Sequence, residues 1–210
     1  MTSNKKKSTF MWLFVGLLLI GCIPAIEQPV ELDYEIVSTP SSFDEALAYM
    51  EDYSVEKRIE GMWAVINYPD NAEEAIPLLI QNLYYETTPD IRAHAARILG
   101  VLGKESIAAV PDLIQVAQND TSLKVQIEAA TALGSISDRK AVPVLAQKMY
   151  QDDIELGIVS ANAISQITGL KFSEANSQVY TLDENGVPLV VIAVQTWWEE
   201  EGQYQDWSNE

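Results

Sequence analysis

Between residues 43 and 168, apolar side chains recur at steps of three and four, broken at intervals by Gly, Asp and Ser. That spacing predicts short amphipathic helices joined by tight turns. The pattern is itself repeated. Ala75-Ile76-Pro77-Leu78-Leu79, Ala109-Val110-Pro111-Asp112-Leu113 and Ala141-Val142-Pro143-Val144-Leu145 set their prolines 34 and then 32 residues apart. About a dozen residues after each comes a second segment, at 91–100, 125–134 and 156–165. In the first of these, Ile91, Ala95, Ile98, Leu99 and Leu102 form one stripe, while Ala95-Ala96 and Ala129-Ala130 are small where helices must approach closely. Two helices per period of this length predict stacked helical hairpins.

Local signals agree with this division. Pro77, Pro111 and Pro143 fit the first turn of each leading helix, where a missing N–H costs little. Ser106 and Asp138, five residues earlier, are expected N-caps, and Gly100, Gly103, Gly134 and Gly169 are expected left-handed terminators of the second helices. An upstream copy without proline runs through Phe43, Ala46, Leu47 and Met50, then Val55, Ile59, Met62, Trp63 and Ile66, as a terminal repeat does. The boundaries fall at about 43–70, 71–104, 105–137 and 138–170. Residues 171–210 change character. Asn185-Gly186 either closes a β-hairpin between 179–182 and 189–192, or ends a loop before a helix from about Pro188 to Glu201 that carries Trp197-Trp198, with Glu199 to Glu201 fraying at its end.

The N-terminal stretch has a different pattern. Lys5, Lys6 and Lys7 precede an apolar run from Phe10 to Ile20, too short to span a bilayer, which ends in Leu19-Ile20-Gly21-Cys22. This resembles the lipobox of bacterial lipoproteins, and the resemblance implies a signal peptide over 1–21, a lipid on Cys22 and a tether over 22–42 that contains Pro24, Pro29 and Pro40. Cys22 is the only cysteine, so no disulfide is available. The expected location is extracytoplasmic, on an outer membrane or the outer face of the plasma membrane. Formal charge is −18 and becomes −21 once the three lysines are removed, which argues against nucleic acid as a partner.

The in-register copies resemble HEAT repeats, specifically the short bacterial repeats also found in phycobilisome lyases. The resemblance implies an all-α fold, a right-handed α-solenoid of the HEAT/armadillo-like kind with a C-terminal capping segment. Several bacterial HEAT-like proteins are similar in ending with Ile-Thr-Gly, a polar loop and a helix with paired tryptophans; here Ile167-Thr168-Gly169 and Trp197-Trp198 match, which favours the helix. The family's turn acid is found as Asp120 and Asp152, with Glu86 in the first full copy. Its basic residue survives only as Arg92, replaced by Gln126 and Gly157, so an inter-repeat ion ladder is expected to be incomplete.

Catalytic residue types are scarce. His94 is the one histidine, no Gly-rich phosphate loop follows a strand, and the His-Glu pairs that hold di-iron in the HEAT-like deoxyhypusine hydroxylases are missing. The chain is therefore expected not to be an enzyme and to hold no metal or cofactor. What remains is a surface. Second helices line the concave side in arrays of this family, which makes Lys57, Arg58, Arg92, His94, Arg97, Lys124, Ile127, Glu128, Thr131, Ile158, Val159 and Asn162 the candidate groove, with Gly61 beside them. Five of the ten basic residues outside the signal lie there. Either they receive an acidic peptide or protein, or they pair with Glu56, Glu60, Glu86 and Asp90 and only solubilise the helices. The expected function is a membrane-anchored interaction scaffold, with an accessory or lyase-type role on an envelope polymer or pigment-bearing protein, or a plain spacer, as alternatives.

Overall fold

Nine α-helices are formed by the described residues of the computed structural model, 39–171 and 181–208. They alternate as leading and second helices: α1 (Phe43–Met50) with α2 (Val55–Val65), α3 (Ala72–Tyr85) with α4 (Pro89–Leu102), α5 (Val110–Asn119) with α6 (Leu123–Ile136), and α7 (Val142–Lys148) with α8 (Ile154–Thr168). A final helix, α9 (Leu189–Glu200), follows. All lie within one compact unit, Val37–Glu210. Second helices stack on one another, α2 on α4, α4 on α6 and α6 on α8, and α9 covers α8. A solenoid of hairpins is the result. The expected signal and the expected tether as far as Ser38 fall outside the described residues.

One apolar cluster runs without interruption from Phe43 to Trp207. Leu79, Leu83, Ile91, Ile98, Leu99, Leu113, Leu133, Leu145, Leu156 and Ile164 are fully buried in it, each stabilising the fold by about 1.5–3 kcal/mol. Stacking this close needs small residues. An added Cβ on Gly100 would lie 2.8 Å from the Ala132 Cα, and one on Gly134 would lie 2.8 Å from the Ala163 Cβ. These two glycines sit inside α4 and α6 to admit the next helix, and do not terminate anything. Termination falls to Gly103 (φ +62°), Gly169 (φ +72°) and, for α6, Ser137 in the left-handed conformation.

Two further expectations are corrected. Ser106 is no N-cap: it is buried within a 3-10 turn and its Oγ has no hydrogen-bond partner. Pro111 and Pro143 occupy the first turns of α5 and α7, but Pro77 lies inside α3, because that helix begins at Ala72 where the other repeats have 3-10 turns. Asp138 caps the 3-10 turn before α7, accepting from the Lys140 N–H at 2.8 Å.

The C-terminal segment is the helix and not the hairpin. Asp183 to Val187 form a turn closed by a single antiparallel bridge, Leu182 to Pro188, and Pro188 takes the N-cap position just before α9. Val191 and Val194 bury against the array, and the Gln195 amide donates to the Met149 carbonyl at 2.9 Å. Glu199 does not fray, because the Tyr150 hydroxyl donates to it at 2.9 Å. Beyond α9 the chain turns back so that Trp207 packs on Trp197 and Trp198 at 6.1 and 6.3 Å between centroids, donates to the Gly202 carbonyl at 2.9 Å, and lies under Arg139 at 4.8 Å. Among the described residues no helix is long and apolar enough to cross a membrane.

Candidate functional site

Arg58 and Arg92 sit 34 residues apart at the same place in α2 and α4, and each performs the same two tasks. Arg92 donates to Asp120 of the next repeat through Nε (2.7 Å) and Nη2 (2.9 Å), while Nη1 reaches back to the Glu86 and Thr87 carbonyls at 2.9 and 3.3 Å. Arg58 pairs with Glu86 of the next repeat at 2.9 Å and holds the Asp52 and Tyr53 carbonyls at 2.7 and 3.0 Å. Each arginine therefore locks its own turn and ties two repeats together. Gln126, the third in register, keeps only the first task, donating to the Asp120 carbonyl at 2.7 Å. At this junction Lys148, itself buried, reaches the Gln126 side chain at 3.0 Å and the Gln118 carbonyl at 3.2 Å. The ladder thus has two ionic rungs, where Arg92 alone was expected to supply one, and a polar third.

This register corrects the candidate groove. Counting from Arg58 and Arg92, the equivalents of Ala93, His94 and Arg97 in α2 are Ile59, Glu60 and Trp63, and not Lys57, Arg58 and Gly61. Gly61 faces inward, where an added Cβ would meet the Ala46 carbonyl oxygen of α1 at 2.6 Å. Trp63, assigned above to the core, is 37% exposed. It meets the His94 ring edge-on at 6.0 Å, which joins the first two repeats along the second-helix face. Arg97 continues the row by pairing with Glu128 of α6, its Nε at 3.0 Å. Ile127, Ile158, Val159 and Asn162 are half-buried beyond it, and Thr131 is exposed, its hydroxyl donating to the Ile127 carbonyl.

Electrostatics alter the picture further. Every cation of the basic island has a carboxylate partner: Lys57 with Asp52, Arg58 with Glu86, Arg92 with Asp120, Arg97 with Glu128, and Lys124 with Asp90. Glu86 and Asp90 were foreseen as partners; Glu56 and Glu60 take no part in these pairs. Burial pushes the Asp120 carboxyl up, but the Arg92 hydrogen bonds, the Ser122 N–H and the Arg92 charge together hold it below the ordinary range. His94 is lowered by burial and by the nearby Arg97 and Lys124 charges, with Asp90 and Glu128 opposing, so the imidazole is neutral at pH 7. Two polar atoms on this face are buried without a hydrogen-bond partner, His94 Nδ1 and Glu60 Oε2. Among the described residues no group of three or more His, Cys, Asp or Glu is placed to hold a metal ion.

Residues 76–167 match the family model of HEAT repeats. Over those residues the hairpins are similar to HEAT repeats in sequence, and the helical array has the matching solenoid fold. Among solved structures, the complex of CpcE and CpcF of phycocyanin lyase from Nostoc sp. PCC7120 is similar at 20% identity, with a TM-score of 0.50 over 70% of this chain and 71% of that one. No curated protein matches the chain. The likeness in fold to a lyase complex overturns the expectation that the chain is not an enzyme. That expectation was drawn from a shortage of His, Cys and clustered carboxylates, and the same architecture builds an enzyme complex, so a count of such residues does not decide the matter.

Proposed function

We propose that the HEAT array docks a protein partner along its second-helix face, outside the cytoplasm, and is tethered to a membrane by lipid on Cys22. The observation that carries the docking is the row from Trp63 through His94 and Arg97 to Thr131, Ile158 and Val159. It offers a partly exposed indole and an arginine, the residue types in which binding hot spots concentrate, with half-buried aliphatics beyond them. With all five island cations paired, an acidic partner has little to gain here. Support for the tether is the Leu19-Ile20-Gly21-Cys22 motif and the single cysteine.

Immobilised protein should retain a specific protein from an envelope extract, and Trp63→Ala should abolish retention while leaving the circular dichroism unchanged. Retention that survives Trp63→Ala and Arg97→Ala together rules this face out. Cys22→Ser should end labelling by radioactive palmitate; persistent label would refute the anchor. A second reading, lyase-type or accessory action on a pigment-bearing protein, is favoured by the fold shared with the phycocyanin lyase subunits. It predicts a visible absorption band in protein copurified with its partner, and a colourless complex would argue against it.

A further inference from the structure

We infer that the cleft between the α1–α2 turn and the end of α3 binds a cationic side chain, arginine or lysine, from a basic segment of a partner protein. The cleft measures about 400 Å³ and opens beside Met50, Glu51, Asp52 and Tyr53 on one wall and Gln81, Asn82, Tyr85 and Glu86 on the other. Tyr53 is fully exposed and Tyr85 nearly so, although both are large rings for which burial is the favourable state. Neither hydroxyl has a described hydrogen bond; the one described ring contact of the pair is Tyr85 against Tyr84 at 6.5 Å. Aromatic faces carry negative electrostatic potential and attract ammonium and guanidinium groups.

Charge points the same way. Three carboxylates, Glu51, Asp52 and Glu86, line the cleft against one guanidinium, Arg58. Arg58 is neutralised by Glu86, and Asp52 is shared with Lys57 at 3.5 Å. Glu51 enters no described ion pair, which leaves a carboxylate uncompensated beside two tyrosine faces. The whole chain, at −18, draws cations toward it.

The neighbouring repeats show how specific this combination is. In the equivalent cleft one repeat on, lined by Arg92 and Asp120, Asn119 stands where Tyr85 does, and Asp120 is taken up by Arg92. At the junction after that, the residue in register with Asn82 is Lys148, whose buried ammonium fills the gap between Gln118 and Gln126. Each junction thus holds a cation of the chain, Arg58, Arg92 or Lys148; at the first, Arg58 is matched by Glu86 and the shorter Asn82 leaves the space beside the pair open. This edge of the array is separate from the second-helix face, so either site can fail without the other.

The test is an NMR titration of the full chain in detergent with a short Gly/Ser peptide carrying one central arginine, and with the same peptide carrying glutamate instead. The arginine peptide should shift the Tyr53 and Tyr85 ring signals and the glutamate peptide should not. Tyr53→Ala and Tyr85→Ala should each weaken binding by about two- to fivefold, the range for single cation–aromatic contacts at exposed sites, and Glu51→Gln by up to about fivefold, the range for an exposed ion pair. Both rings project into solvent, so these variants keep the fold. Arginine-peptide binding that is unchanged in Tyr53→Ala/Tyr85→Ala reflects diffuse attraction to an acidic protein and overturns the inference, as does the absence of any shift at the two rings.

Discussion

Arg92→Ala is the sharpest test of how the repeats are held together. The substitution removes two hydrogen bonds to Asp120 and two to the Glu86 and Thr87 carbonyls. It leaves the Asp120 side chain, only 8% exposed, with the Ser122 N–H as its remaining described donor. An exposed pair is worth about 0–1 kcal/mol, whereas breaking a fully buried one costs about 3–5 kcal/mol. Arg92 and Asp120 are close to buried but at a surface turn, which places the loss at about 2–4 kcal/mol, with the two freed carbonyls re-solvated by water. At this chain length each kcal/mol lowers Tm by about 2–4 °C. Urea denaturation of the single variants Arg92→Ala and Asp120→Ala and of the double variant gives the coupling, expected at about 1–3 kcal/mol. Arg92→Gln, which copies Gln126, should lose less because it keeps a carbonyl bond. The sign with pH is fixed by Asp120: its folded pKa is depressed, so the contribution is complete above the unfolded value of 3.8 and disappears as pH falls through the folded one. A loss below about 0.5 kcal/mol, or coupling indistinguishable from zero, would refute the assignment of Arg92 as an inter-repeat tie.

Gly100→Ala improves helix propensity but drives a methyl against the Ala132 backbone of α6, so thermal denaturation should show a net loss of about 1–3 kcal/mol. Trp207→Ala strips the cover from Trp197 and Trp198 and should cost about 3–5 kcal/mol by urea denaturation, with near-ultraviolet dichroism losing its aromatic signal. Burial lowers the Lys148 pKa below 10.5. The folded state therefore binds that proton less tightly than the unfolded one, and stability relative to Lys148→Met should rise as pH climbs through the folded value toward 10.5; a flat difference across that window would count against a buried ammonium.

The repeats were legible because hairpins stacked every 34 residues must reuse the same apolar stripe, and α3 to α8 fall where that stripe does. Errors gathered where a residue's role depends on a neighbour in space. Gly100 and Gly134 look like terminators in isolation, yet they serve close helix contact, and only Ala132 and Ala163 opposite them reveal it. Trp63 reads as core because the first copy lacks the proline that would anchor its register. An offset of 34 from Arg97 was the available signal for its exposed place. The same slip hid Arg58 as the twin of Arg92. Pairing of the basic island was one of two readings the sequence left open, and Glu86 and Asp90 were rightly named for it; Asp120 and Glu128 were missed, since they lie about 30 residues away along the chain and meet their arginines only through the stacking.

Both ionic rungs lie along one edge of the array, at the turns within hairpins, while no described ion pair ties the connectors between hairpins, around Tyr68, Ser106 and Lys140. Charge therefore ties the hairpin turns, while the connector side is held by apolar burial at Ala109, Val110, Ala141 and Val142 and, at the last connector, by Arg139 over Trp207. Salt acts chiefly on the turn margin, and the connector margin answers to apolar packing.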